Sequence, residues 1–173
     1  MSGSRRSGVS REGVVVSVQI AASAAPTTTV MNRTDFPHFL TIPTRWMDND
    51  VYGHVNNVVY YSWIDTLVNR YLIDHAGLDI HDAPVVGYCV DSGCTYRRSF
   101  TFPDVVHAGL CVSKLGSRSV RFEIGLFGET DATPRATAFF VQVYVDRALN
   151  QSVSIPERIR MALQTIFVAG ESQ

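Results

Sequence analysis

The sequence predicts an α+β fold in which one antiparallel sheet wraps around a long helix. Three observations lead there. A helical apolar period fills Val58 to His75. One strand-like stretch precedes that segment and four follow it, joined by turns of meander length. The 173 residues, 46% of them hydrophobic, are enough for one domain with a substantial core. The layout divides into a tail over 1–34 and a single domain over 35–173, with Met31 a candidate natural start.

The tail has no periodicity, and Pro26 with Thr27 to Thr29 marks its end. Arg5, Arg6 and Arg11 ahead of Val14 to Ala25 imitate a signal peptide, but Ser17 and Gln19 interrupt the apolar run. From His38 to Trp46 the chain reads as extended: Phe39, Thr41 and Pro43 alternate against Leu40, Ile42 and Trp46, and Pro43 suits an edge strand. In the helical segment Val59, Tyr60, Trp63, Ile64, Leu67, Tyr71 and Leu72 recur at three and four, with a narrow polar stripe. That helix should therefore be mostly buried. Asn56 or Asn57 is a competent N-cap and Gly77 a C-cap.

Four strands follow the connector that ends at Pro84: Val85 to Phe100, Val105 to Leu115, Ser119 to Phe127 and Thr137 to Val145. In the third, Val120, Phe122, Ile124 and Leu126 share a face; in the fourth, Phe139, Val141, Val143 and Val145 do. Turns are signalled at Phe102 to Asp104, Gly116-Ser117 and Glu129 to Pro134. A last helix is predicted over Pro156 to Val168, with Ile159, Leu163, Ile166 and Phe167 as its apolar side.

Chemistry concentrates between the first strand and the long helix, in Arg45 to Asn57, where side chains meet free helix N–H groups. Asp48, Asp50, Gly53, His54, Asn56 and Asn57 crowd together there. The Asp-x-Asp-x-x-Gly-x-Val-x-x-x-x-Tyr pattern from Asp48 to Tyr60 resembles the 4-hydroxybenzoyl-CoA thioesterase branch of the hotdog-fold thioesterases. The run Gly53 to Asn57 is also similar to bacterial acyl-CoA thioesterases and plant acyl-ACP thioesterases of that superfamily. The likeness extends from about Phe39 to the end of the chain.

That resemblance implies a hotdog fold and hydrolysis of an acyl-CoA thioester to free acid and coenzyme A, without cofactor or metal. It implies Asp50 as nucleophile or general base and the backbone N–H of Asn57 as oxyanion donor. His54 stands open between a catalytic role, as in the acyl-ACP enzymes, and ordering of the loop through a backbone carbonyl. Asp48 fits a structural role beside Arg45, and Asn56 a cap. Gly53, Asn56 and Tyr60 are candidate substrate contacts. The turn Gly116 to Ser119 matches the family turn that meets coenzyme A phosphates, but it keeps only Arg118, with Ser119 beside it; Arg97 and Arg98 are alternative phosphate partners. The aromatics Tyr60, Trp63 and Tyr88 fit an aliphatic tunnel, an aryl pocket or simple core.

Composition narrows the partners. A formal charge of -1 offers no basis for nucleic acid or an anionic membrane, and no run reaches the ~20 apolar residues of a spanning helix. Cys89, Cys94 and Cys111 lack metal-ligand spacing and read as thiols of a reducing, cytoplasmic setting. The long strand from Val85 suits edge-to-edge pairing with a second copy, hence at least a homodimer, and the resemblance implies a homodimer or dimer of dimers, since hotdog active sites form between two protomers. Two rivals to the hydrolase stand: a non-catalytic acyl-CoA-binding hotdog protein, and a hotdog dehydratase, whose Asp and His lie apart in sequence.

Overall fold

The computed structural model describes residues 31–168. Its elements are β1 (His38–Pro43), α1 (Asn57–Ala76), β2 (Val85–Tyr96), β3 (Val105–Leu115), β4 (Ser119–Phe127), β5 (Ala136–Asp146), β6 (Gln151–Ser152) and α2 (Glu157–Thr165). The strands form one antiparallel sheet in the order β1-β3-β4-β5-β2, with β6 pairing with β5. β1 and β2 are thus opposite edges, and α1, which joins them, packs against the sheet between them. This is the hotdog arrangement.

The helical period of α1 explains its seat. Tyr60, Trp63, Ile64, Leu67, Val68, Tyr71, Leu72 and Ala76 are buried, and they meet Val106, Ala108, Leu110 and Val112 of β3 and Val120, Phe122, Ile124 and Leu126 of β4 in one core. Burying each large side chain of this kind contributes about 1.5–3 kcal/mol. Asn56 caps the helix by accepting from the Val58 N–H, and Gly77 ends it in the left-handed conformation at φ 58°.

Several sequence expectations change. Only eight of the 20 residues of α1 are buried in the single chain, and Val58, Tyr61 and Ile73 are among the exposed ones. β1 stops at Pro43: the Thr44 N–H and hydroxyl both turn to the Asp104 carbonyl, at 3.1 and 2.7 Å, and Trp46–Asp48 form a 3-10 turn. β2 stops at Tyr96, not Phe100, since the N–H groups of Arg97 and Arg98 converge on one carbonyl, that of Arg135, at 2.8 and 3.0 Å. In β5 the face of Phe139, Val141 and Val143 is the outer, half-buried one; Ala136, Ala138, Phe140, Gln142 and Tyr144 face the core. Pro156 is the N-cap of α2 and Phe167 lies beyond it, 45% exposed.

Part of the segment read as tail is packed. Arg33–Asp35 form a short 3-10 turn, and the Arg33 guanidinium donates to the carbonyls of Gly128, Glu129 and Asp131 at 3.0, 3.1 and 3.3 Å. Met31 packs beside Phe36, Cys111 and Phe127 on the outer face of the sheet. The expectations for residues 1–30 lie outside the described residues.

Candidate active site

The segment between β1 and α1 folds on itself twice before the helix begins. First, the Asp48 carboxylate turns back to the Arg45 N–H at 2.7 Å and to its guanidinium at 2.8 and 2.9 Å. Asp48 is 1% exposed and fully engaged, so its role is structural. Second, Asp50 to His54 form a tight hairpin turn: the Asp50 N–H donates to the His54 carbonyl at 2.8 Å and the Gly53 N–H to the Asp50 carbonyl at 3.1 Å. Gly53 sits at φ 82°, a conformation that favours glycine.

The hairpin is fastened to the segment after β2. Val55 N–H donates to the Phe100 carbonyl at 2.9 Å, the Thr101 hydroxyl to the Gly53 carbonyl at 2.9 Å, and the Asn49 amide brackets Thr101 and Phe102. Tyr60 on the first turn of α1 accepts the Phe100 N–H at 3.2 Å. Burial holds the Tyr60 phenol above its ordinary pKa, so it remains protonated at neutral pH.

These constraints set the geometry of Asp50. It is half-buried, its Oδ1 takes the Tyr52 N–H at 2.8 Å, and its Oδ2 has no hydrogen-bond partner among the described residues. Asn57 is the first residue of α1, so its N–H has no acceptor within the helix, while Asn56 Oδ1 caps Val58 at 3.1 Å. Asp50 and Asn57 line one cleft of about 340 Å³ with Val55, Tyr60, Tyr96, Arg97, Arg98 and Ser99. A carboxylate with a spare oxygen, a helix-start donor and two arginines thus share one opening.

Other candidates stand elsewhere. His54 is exposed, and its imidazole has no hydrogen-bond partner among the described residues; the loop is ordered by its backbone carbonyl instead. Arg118 and Ser119 lie beyond the far end of β3, whose 11 residues span about 36 Å along the strand. There, among the described residues, the Arg118 guanidinium reaches only Ser152 Oγ, at 3.4 Å. Among the described residues, the arginines that line the cleft with Asp50 are Arg97 and Arg98. A larger cavity of about 550 Å³ between Asn32–Thr34 and Glu129–Ala132 contains Arg33, already spent on three carbonyls.

The sequence did not reveal how Arg97 to Phe102 hold the motif loop. Two consecutive arginines at the end of a long strand were the available signal. Among the described residues no group of three or more His, Cys, Asp and Glu side chains converges as a metal site would, and no helix is long and apolar enough to cross a membrane.

The chain is similar to several proteins of known structure. The PA5185 protein from Pseudomonas aeruginosa is 44% identical over 82% of this chain and 98% of its own, with a TM-score of 0.77. The PA2801 protein of the same organism, a candidate thioesterase, is 29% identical over 74% of this chain and 98% of its own, at a TM-score of 0.69. The gentisyl-coenzyme A thioesterase BH1999 shares the fold at 19% identity and a TM-score of 0.65, over 73% of this chain and 99% of its own. No curated protein matches. The sequence model of the Thioesterase-like superfamily matches residues 44–163, from the end of β1 into α2, and the chain belongs to that superfamily.

Proposed function

We propose that the protein is an acyl-CoA thioesterase, hydrolysing the thioester to free acid and coenzyme A, with Asp50 as the catalytic carboxylate. The observation that carries this is the shared cleft of Asp50, with its unpartnered Oδ2, and the acceptor-free N–H of Asn57. The thioester carbonyl oxygen takes the Asn57 N–H, where a donor aimed at the developing oxyanion is worth about 2.7–4 kcal/mol. Asp50 Oδ2 removes a proton from water as it attacks the carbonyl carbon, or attacks the carbon itself. On the general-base route the C–S bond then breaks and the proton passes from Asp50 to the leaving thiolate; on the nucleophilic route the thiolate leaves as the acyl–Asp50 anhydride forms, and water then hydrolyses that anhydride to the free acid, restoring the carboxylate and supplying the thiolate's proton.

Gly53 allows the turn that aims Asp50, Asn56 holds the helix start, and Tyr60 walls the acyl side. His54 stands at the hairpin end, where it can assist the proton transfer. Of the two arginines in the cleft, Arg97 is the principal phosphate partner within one chain, with Arg98, already paired with Asp131, beside it. Arg118 and Ser119 join the site only from a second copy. The outer edge of β2 supports such a copy: it has no strand partner among the described residues and carries Tyr88 46%, Val90 60% and Tyr96 44% exposed. Light scattering at micromolar concentration should give at least the mass of two chains; a monomer's mass would remove Arg118 and Ser119 from the site. The three free thiols, Cys89, Cys94 and Cys111, fit a cytoplasmic enzyme.

The test is Asp50→Asn beside Asp48→Asn and His54→Ala. The amide keeps the size and the turn bond but cannot take a proton, so kcat should fall by roughly 100-fold or more with KM little changed. Asp48→Asn should lose far less turnover, and His54→Ala should fall between. An Asp50→Asn variant keeping more than about a tenth of wild-type kcat would overturn the assignment.

A further inference from the structure

We propose that Arg135 is a positioning residue for substrate binding: it fixes the Arg97–Ser99 wall of the cleft and so sets where the Arg97 guanidinium stands. This rests on the cleft being the thioester-binding site. Arg135 opens the way into β5, yet it contacts all three residues of the wall and Phe100 after them. Its carbonyl accepts from the N–H groups of Arg97 and Arg98 at 2.8 and 3.0 Å. Its guanidinium donates to the Ser99 carbonyl at 3.4 Å and lies 4.8 Å from the centre of the Phe100 ring.

Two carboxylates hold that guanidinium in place. Asp104 takes Nη1 at 2.8 Å and Asp131 takes Nε at 2.7 Å. Burial works against the charge on Arg135, but Asp131 and Asp104 outweigh it and raise its pKa above the ordinary arginine value. Asp131 also binds Arg98, at 3.2 Å. Gly128 leaves the necessary room, since a Cβ there would overlap the guanidinium.

The consequence is a sorting of charges. Arg98 and Arg135 are matched by Asp104 and Asp131. Arg97, on the same wall, has no ion pair or side-chain hydrogen bond among the described residues, although its backbone is held. A cation fixed at its root and unmatched at its tip is what an anionic group of an incoming thioester requires. Arg135 touches no substrate; it acts through Arg97.

The experiment is a double-mutant cycle on hydrolysis of benzoyl-CoA and octanoyl-CoA, with calorimetric titration of coenzyme A as a second readout. Wild type, Arg97→Ala, Arg135→Lys and the double variant are compared. Lysine keeps the charge but cannot serve Ser99, Asp104 and Asp131 from one plane. Arg135→Lys should raise KM and the coenzyme A Kd about fivefold with kcat within about threefold, and in the Arg97→Ala background it should add less than about twofold. Additive effects, or a lowered melting temperature with unchanged KM, overturn the inference and leave thioester hydrolysis standing. A folded wild type that neither hydrolyses nor binds the coenzyme A compounds overturns the functional reading, and the inference with it. Should Arg135→Lys fail to fold, Asp131→Asn, which frees both Arg98 and Arg135, completes the same cycle.

Discussion

The two ends of strand β3 each carry a candidate anion site, and they differ in what closes them. At the Val105 end, Arg97 and Arg98 face a cleft with Asp50 and the start of α1. At the Leu115 end, the turn Gly116 to Ser119 is sealed against α2: Arg160 donates to the carbonyls of Gly116 and Ser117 at 2.7 and 3.1 Å, and the Ile155 N–H to that of Ser117 at 2.9 Å. One end is open with an unmatched cation, while the other is a fastening between sheet and helix. A basic residue next to a turn motif therefore says little until the topology shows whether the turn opens on the chemistry.

That contrast can be broken by mutating both ends. The largest effect is expected at Arg97→Ala, which should raise KM about tenfold, the worth of one charge-assisted contact, with kcat nearly unchanged. Arg118→Ala should raise KM only about threefold, because an exposed cation reaching in from a second copy is screened by solvent. If instead Arg118→Ala exceeded Arg97→Ala, the sealed end would be the principal phosphate site and the order of the two ends would reverse. The smallest kinetic effect belongs to Arg160→Ala: kcat and KM should stay at wild-type values while urea unfolding shows a loss of about 1–2 kcal/mol from the uncapped carbonyls. Altered kinetics there would mean that the turn is not simply a fastening.

Much of the fold is legible in the sequence because local pattern decides it. β3 and β4 begin and end where alternation and turn residues place them, and α1 follows its apolar period to Gly77. The misread strand ends share a cause. Trp46 and Phe100 are apolar and continue an alternating pattern, yet the backbone before each is claimed by a distant partner, Asp104 for Thr44 and Arg135 for Arg97 and Arg98. No local pattern encodes such pairings. At the site the same division holds. Asp50, Gly53, Asn56 and Asn57 are contiguous, and their motif marks them. The wall of Arg97 to Ser99 reaches Asp50 only because β2 pairs with β5 at the sheet edge and Phe100 is tied to Val55 and Tyr60. The openness of one flank of α1 was illegible too, since a narrow polar stripe describes a helix that a second copy would cover as well as one buried in its own chain.

The most direct measurement is release of free thiol by the wild-type protein from acyl-CoA thioesters of graded chain length and from an aryl-CoA, run beside titration of coenzyme A. Hydrolysis at the Asp50 cleft predicts thiol and acid released in equal amounts, with kcat of order 1 s⁻¹ or more on at least one substrate. Binding of the same compounds with no thiol released would contradict it, and would make the protein an acyl-CoA-binding hotdog protein instead.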